Sequence, residues 1–371
     1  MSFVINLLVF LLVLIFYLQL TEQHKKNNDL EVYQLDYIER KEIRDYCRLK
    51  LPIVINYNNV HPEFVSQINR KGILETLSSL QIKNQSDFYK DIPDNSYVEM
   101  DTKNANILFE TSTDEPYYTE KNGDSIQASS LRSVFESNNF LLKPEMNLVT
   151  EYDILFGKEG SQTPFRYHTQ CRKFICCHEG SVSIKMSSWD STELLNPIHN
   201  YEGYDFRSPI NVWNPQANWT ANVKQMETLD IVLEKGCMLY IPSFWWYSIQ
   251  FNNESLISSS QYSSAMNCVY NLPSWTLHYI QKINVETQVS NLKTYLSLSP
   301  ATPNKEIHEE AKEPIEDVPP EPIVELVSDE PTPEHIQEDN KMTTTNEDNA
   351  ENEIKETLDS IASTIEEEHH V

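Results

Sequence analysis

Apolar residues run almost without a break from Phe3 to Leu20, with only Asn6 and Gln19 clearly polar. A bilayer-spanning helix needs about 20 such residues, with a range down to about 17. No basic residue precedes the run except the amino terminus, and no small-x-small cleavage site follows it. The pattern therefore predicts a retained membrane anchor over residues 3–20 rather than a removed leader. Lys25 and Lys26 follow the run. Positive residues flank spans on the cytoplasmic side, so a single-pass protein with a cytoplasm-facing body is expected.

Beyond the anchor, the clearest pattern is that of strands. Leu229–Leu233 and Cys237–Ile241 are short apolar runs, and Trp245-Trp246-Tyr247 opens a third that reaches Phe251. Glu234-Lys235-Gly236 reads as a turn, with Gly236 free to take a positive φ. Pro242 has no N–H for a ladder and is expected at a strand end or bulge. Upstream, a helical stretch around Tyr37–Cys47 leads into a short strand within Arg48–Asn56. Ile73–Phe88 and Leu131–Phe140 read as helices, and the polar stretch 90–130 as loops with short strands. Asn271–Asn291 carries Trp275, Leu277, His278, Ile280, Ile283 and Val285 in an amphipathic helical pattern.

Charge changes the picture at the C-terminus. The chain has 371 residues and a net charge of −27. From Pro300 to Val371 there are 22 acidic and 4 basic residues, a local net of −18, which leaves −9 for residues 1–299. No aromatic residue follows Tyr295, and the last 72 residues hold 8 of the 19 prolines. Such a segment cannot bury enough apolar surface to offset its ordering entropy, so residues 295–371 are expected to be a disordered acidic tail. Within it, Ile354, Leu358, Ile361 and Ile365 keep helical spacing and could fold on a partner. Nothing in the body's charge suggests a nucleic-acid partner. Cys176 and Cys177 are adjacent rather than in a C-x-x-C spacing, which argues against zinc. Three sequons stand at Asn84, Asn218 and Asn253.

Gly236, Leu239, Tyr240, Ile241, Pro242, Trp245 and Trp246 together resemble a motif of the JmjC and cupin-8 branch of the double-stranded β-helix (jelly roll) proteins. A second stretch is similar to that family's first metal-binding strand: Gly160, Ser161, Thr163 and Pro164, leading to Arg166 and His168. Gly180 falls at a family turn, and Phe206–Pro215 at the linker between the two halves. The resemblance covers roughly residues 150–262. It implies a mainly β fold with flanking helices, divided as anchor 1–26, N-terminal body 27–149, jelly-roll core 150–270, helical segment 271–294 and tail 295–371.

Active members of this superfamily hold Fe(II) with two histidines and a carboxylate and bind 2-oxoglutarate beside it. With Thr163-Pro164 as anchor, the first His position is Arg166, the Asp position is His168 and the distal His position is Tyr247. Arginine has no lone pair to offer a metal. A register shifted by two makes His168 the first ligand and Gln170 the second, still with Tyr247 distal. Thr163 matches a co-substrate contact, whereas the lysine that clamps 2-oxoglutarate is replaced by Val182. The resemblance thus implies a degenerate site with no metal, no cofactor and no catalytic residue. The leading reading is a non-catalytic, membrane-anchored binding or structural module with an unknown protein partner. The alternatives are a divergent Fe(II)/2-oxoglutarate hydroxylase using His168, and a cupin that binds a small anion or carbohydrate through Arg166.

Overall fold

The computed structural model describes residues 2–90, 96–111 and 115–284. The expected tail lies outside the described residues. The apolar N-terminal run forms a single helix, Ser2–His24, whose side chains over Phe3–Leu18 are exposed. It is long and apolar enough to cross a membrane.

The body is built from two sheets with helices at their flanks. The nine-stranded sheet runs, in spatial order, Tyr33–Leu35, Ile53–Asn56, Cys237–Ile241, Arg172–Glu179, Leu256–Ser264, Asn147–Gly157, Tyr117–Thr119, Ser79–Asn84 and Val98–Asp101. The six-stranded sheet runs Ile198–Asn200, Asp205–Arg207, Arg166–Tyr167, Trp246–Phe251, Ser181–Ser187 and Leu229–Glu234. Among the described residues, only the first pair of the larger sheet is parallel. Eight strands between Asn147 and Ser264 form two runs of four that alternate from one sheet to the other. The first is Asn147–Gly157, Arg166–Tyr167, Arg172–Glu179 and Ser181–Ser187; the second is Leu229–Glu234, Cys237–Ile241, Trp246–Phe251 and Leu256–Ser264.

Side-chain alternation explains how both faces are filled. Successive strand residues point to opposite faces. Trp245 and Tyr247 join the core between the sheets with Ile175, Ile184 and Ile249. Trp246 points the other way and packs with Phe165, Tyr167 and Phe206. Cys176 and Cys177 divide likewise, Cys177 between the sheets and Cys176 under the helices that cover the larger sheet. All six cysteines are free thiols.

The turn residues behave as their chemistry requires. Gly236 takes φ +83°, and a Cβ there would come within 2.1 Å of the Asn58 amide nitrogen. The turn carries the chain from the smaller sheet to the larger. The strand before Pro242 ends at Ile241, and the next begins at Trp246 rather than Trp245. Between them Phe244 adopts φ +67° and donates its N–H to the His168 carbonyl at 2.9 Å.

The N-terminal body departs from its periodicity in three places. Ile73–Phe88 is not one helix: a helix ends at Thr76 and Ser79–Asn84 is a strand. Leu80 and Ile82 alternate there, and the ladders with Val98–Asp101 and Tyr117–Thr119 outweigh local propensity. The polar stretch 90–130 contains a ten-residue helix, Thr102–Thr111, buried through Thr102, Ala105 and Phe109. Leu131–Phe140 is two short helices, Leu131–Glu136 and Asn139–Leu142. The C-terminal pattern begins earlier than expected, with helix Ala265–Tyr270 followed by a helix over 272–284.

Candidate functional site

Strands Arg166–Tyr167 and Trp246–Phe251 pair antiparallel, with Tyr247 directly opposite Arg166. Directly opposed residues project from the same face of a sheet. Arg166, His168 and Tyr247 therefore line one cavity of about 340 Å³ between the sheets. The Arg166 guanidinium lies 6.0 Å from the Tyr247 ring centroid, and the His168 ring 5.9 Å from it. Gln170 also lines the cavity.

Arg166 is held by a partner the sequence did not point to. Its Nη1 donates to Glu120 at 3.0 Å and its Nη2 to the other carboxylate oxygen. Tyr97 and Tyr118 donate their hydroxyls to the same carboxylate, Tyr118 at 3.2 Å. Burial alone would push the Glu120 carboxyl up, but the Arg166 charge and these hydrogen bonds hold it at about 2. The Arg166 guanidinium is thus taken up by an internal carboxylate.

His168 is 6% exposed, and neither ring nitrogen has a hydrogen-bond partner. The Ile241 backbone lies near enough to favour its charged form slightly, without closing a bond of ordinary geometry. Burial, and then the charges of Lys173, Lys50 and Arg166, keep the imidazole neutral, its pKa well below the usual histidine value. The Tyr247 hydroxyl makes no hydrogen bond among the described residues.

Thr163 and Val182 do not line the cavity. The Thr163 hydroxyl instead accepts from the Ile249 N–H at 2.9 Å, tying the segment before Arg166 to strand Trp246–Phe251. Val182 is fully buried between the sheets, opposite Leu233 and Phe251. Lys185 reaches away, to Asp230 at 2.6 Å and over the Trp213 ring. Trp245 and Trp246 serve packing, and each anchors its indole N–H, on the Lys50 carbonyl at 3.1 Å and the Thr192 hydroxyl at 3.0 Å.

Two further residues complete the cavity floor. Lys173, the second residue of strand Arg172–Glu179, places its ammonium 5.3 Å from the Tyr247 ring centroid. It makes no hydrogen bond or ion pair among the described residues. Ser259, on the neighbouring strand, is 2% exposed and its hydroxyl is unpartnered. Lys173 left a trace in the sequence, as a charge directly before the apolar run Phe174–Cys177 of its strand. Glu120 and Ser259 left none.

The donor set does not suit Fe(II). One neutral imidazole remains, the Glu120 carboxylate is engaged by Arg166, and arginine cannot ligate. Among the described residues, no three His, Cys, Asp or Glu side chains gather around one point.

No protein-family model matches the chain. Over 105 residues it is 27% identical to the JmjC domain-containing protein D of Dictyostelium discoideum. The match covers 28% of this chain and only 23% of that relative. This likeness and the sheet-rich body fit a JmjC/cupin-like fold.

Proposed function

We propose that the protein is a membrane-anchored, non-catalytic module on a double-stranded β-helix related to JmjC and cupin-8 domains. The alternation of eight strands between two sheets supports the scaffold. The observation that carries the functional reading is the Arg166–Glu120 pair beneath Tyr247. A cation and its bound carboxylate occupy the wall where active relatives present metal ligands. The resident anion is satisfied internally, and the positive charge beside it disfavours a second cation such as Fe(II). The Thr163-Pro164 register is favoured by the direct pairing of Arg166 with Tyr247.

The helix Ser2–His24 would hold the module in a bilayer with its body facing the cytoplasm, where it would meet a protein partner. The reading is tested by incubating purified full-length protein with Fe(II), ascorbate and 2-oxoglutarate. No succinate above the protein-free background is expected. Succinate formation abolished by His168→Ala would support the hydroxylase alternative instead.

A further inference from the structure

Arg166 is spent on Glu120, so the cavity's free binding capacity lies elsewhere. It is carried by Lys173, His168, Ser259 and Tyr247, which line its floor. Each of them can donate a hydrogen bond; the His168 ring nitrogens and the Ser259 hydroxyl are buried without a partner, and neither Lys173 nor Tyr247 makes a side-chain hydrogen bond among the described residues. Burying a polar group without a partner, as at His168 and Ser259, costs about 1–3 kcal/mol. Arg166 Nε adds a further unpartnered donor on the same wall. A floor of unsatisfied donors around one ammonium calls for an acceptor that carries negative charge.

The rest of the cavity narrows the class. Its rim carries Glu151, Asp153 and Asp205. Asp153 is already tied by the N–H groups of Lys121, Asn122 and Ile154, each at 2.8 Å, and Asp205 lies 3.5 Å from Arg207. A ligand with a second negative charge would meet this acidic rim. Leu155, Ile175 and Ile249 form an apolar wall beside the floor. The volume, about 340 Å³, suits a small molecule.

We infer that this cavity binds a small monocarboxylate with a short apolar body, without metal, its carboxylate on the Lys173 ammonium and Ser259 hydroxyl beside His168. This deepens the non-catalytic reading above and rests on it. The charge clamp comes from Lys173 in the larger sheet, not from position 182 in the smaller one. His168 serves as a neutral donor rather than a ligand.

Full-length protein in detergent is titrated calorimetrically, in chelator and without metal, with butyrate, benzoate, inorganic phosphate and 2-oxoglutarate. Butyrate or benzoate should bind and raise the melting temperature, and phosphate and 2-oxoglutarate should bind more weakly. Lys173→Met, which keeps the stem, should weaken carboxylate binding by about tenfold or more, and Lys173→Arg should restore part of it. Ser259→Ala, a smaller change to the wall, should weaken it by about fivefold and serves if Lys173→Met does not fold. Absence of binding by both monocarboxylates, a preference for phosphate, or affinity indifferent to both substitutions overturns the assignment. Binding of 2-oxoglutarate only when Fe(II) replaces the chelator would instead overturn the non-catalytic reading. If no monocarboxylate binds and iron is also not taken up, only the ligand assignment fails.

Discussion

Arg166 and Tyr247 stand opposite each other across two antiparallel strands, the guanidinium 6.0 Å from the ring centroid. The resemblance to JmjC and cupin-8 proteins implies histidine at both positions. Here one supplies a permanent cation and the other a phenol. Glu120 completes the change by holding the cation in a bidentate pair. The pair is internally balanced only while both members are present.

Removing one member should therefore be costly. Glu120→Gln leaves a buried guanidinium without its counter-charge and is expected to lower stability by about 3 kcal/mol or more. The double variant Glu120→Leu, Arg166→Met should lose less than the sum of the singles. Denaturant unfolding of Glu120→Leu, Arg166→Met and their double variant measures the coupling, and additive losses would contradict it.

The glycine turns make a second comparison. Gly236 and Gly180 both hold positive φ, at +83° and +62°. A Cβ at 236 would meet the Asn58 side chain, which can swing aside. A Cβ at 180 would meet the Asn253 carbonyl at 2.7 Å, which cannot move without its backbone. Gly236→Ala should cost about 1–2 kcal/mol. Gly180→Ala should cost clearly more, which melting curves of the two variants can decide.

Much of this fold was readable because one motif combined unusual residues with strand alternation. Gly236, Pro242 and the tryptophan pair gave the turn, the strand end and the two packing faces. The N-terminal body was less readable. Thr102–Thr111 buries only three of its ten residues, so its apolar stripe is lost among polar neighbours. Ser79–Asn84 is a strand because two neighbouring strands pair with it, and no window of local sequence contains that information. The site was half legible. Arg166, His168 and Tyr247 follow from strand register. Glu120 comes from a distant, polar stretch, and its role depends on a contact 46 residues away.

Stability should fall on mild acidification. His178 is buried, with its ring nitrogens on the Val65 carbonyl at 3.1 Å and the Ser258 hydroxyl at 2.7 Å. Burial lowers it to about 4 from an ordinary 6.5. The unfolded chain then binds the extra proton first, so this contribution is complete above about pH 6.5 and is lost progressively down to about 4. It amounts to about 3 kcal/mol. Asp153, raised by burial to about 6, acts in the opposite sense between about 4 and 6. His178→Gln should flatten the pH dependence by up to about one proton in the upper window. An unchanged slope in urea melts at stepped pH would contradict this.

Topology can be tested through the sequons. Asn218 and Asn253 are exposed, whereas the Asn84 side chain caps Ser86 and bonds Glu115. With a cytoplasmic body, glycosidase treatment of protein made in cells with a secretory pathway should leave its gel mobility unchanged. A shift removed by Asn218→Gln or Asn253→Gln would place the body on the other side. Recovery of the full chain without detergent would remove the anchor.

The most direct test of the central claim is the iron content of the full-length protein after anaerobic reconstitution with Fe(II) and removal of excess metal. The Arg166–Glu120 pair beneath Tyr247 predicts substoichiometric iron, unchanged in His168→Ala. One iron per chain, lost in His168→Ala, would contradict it.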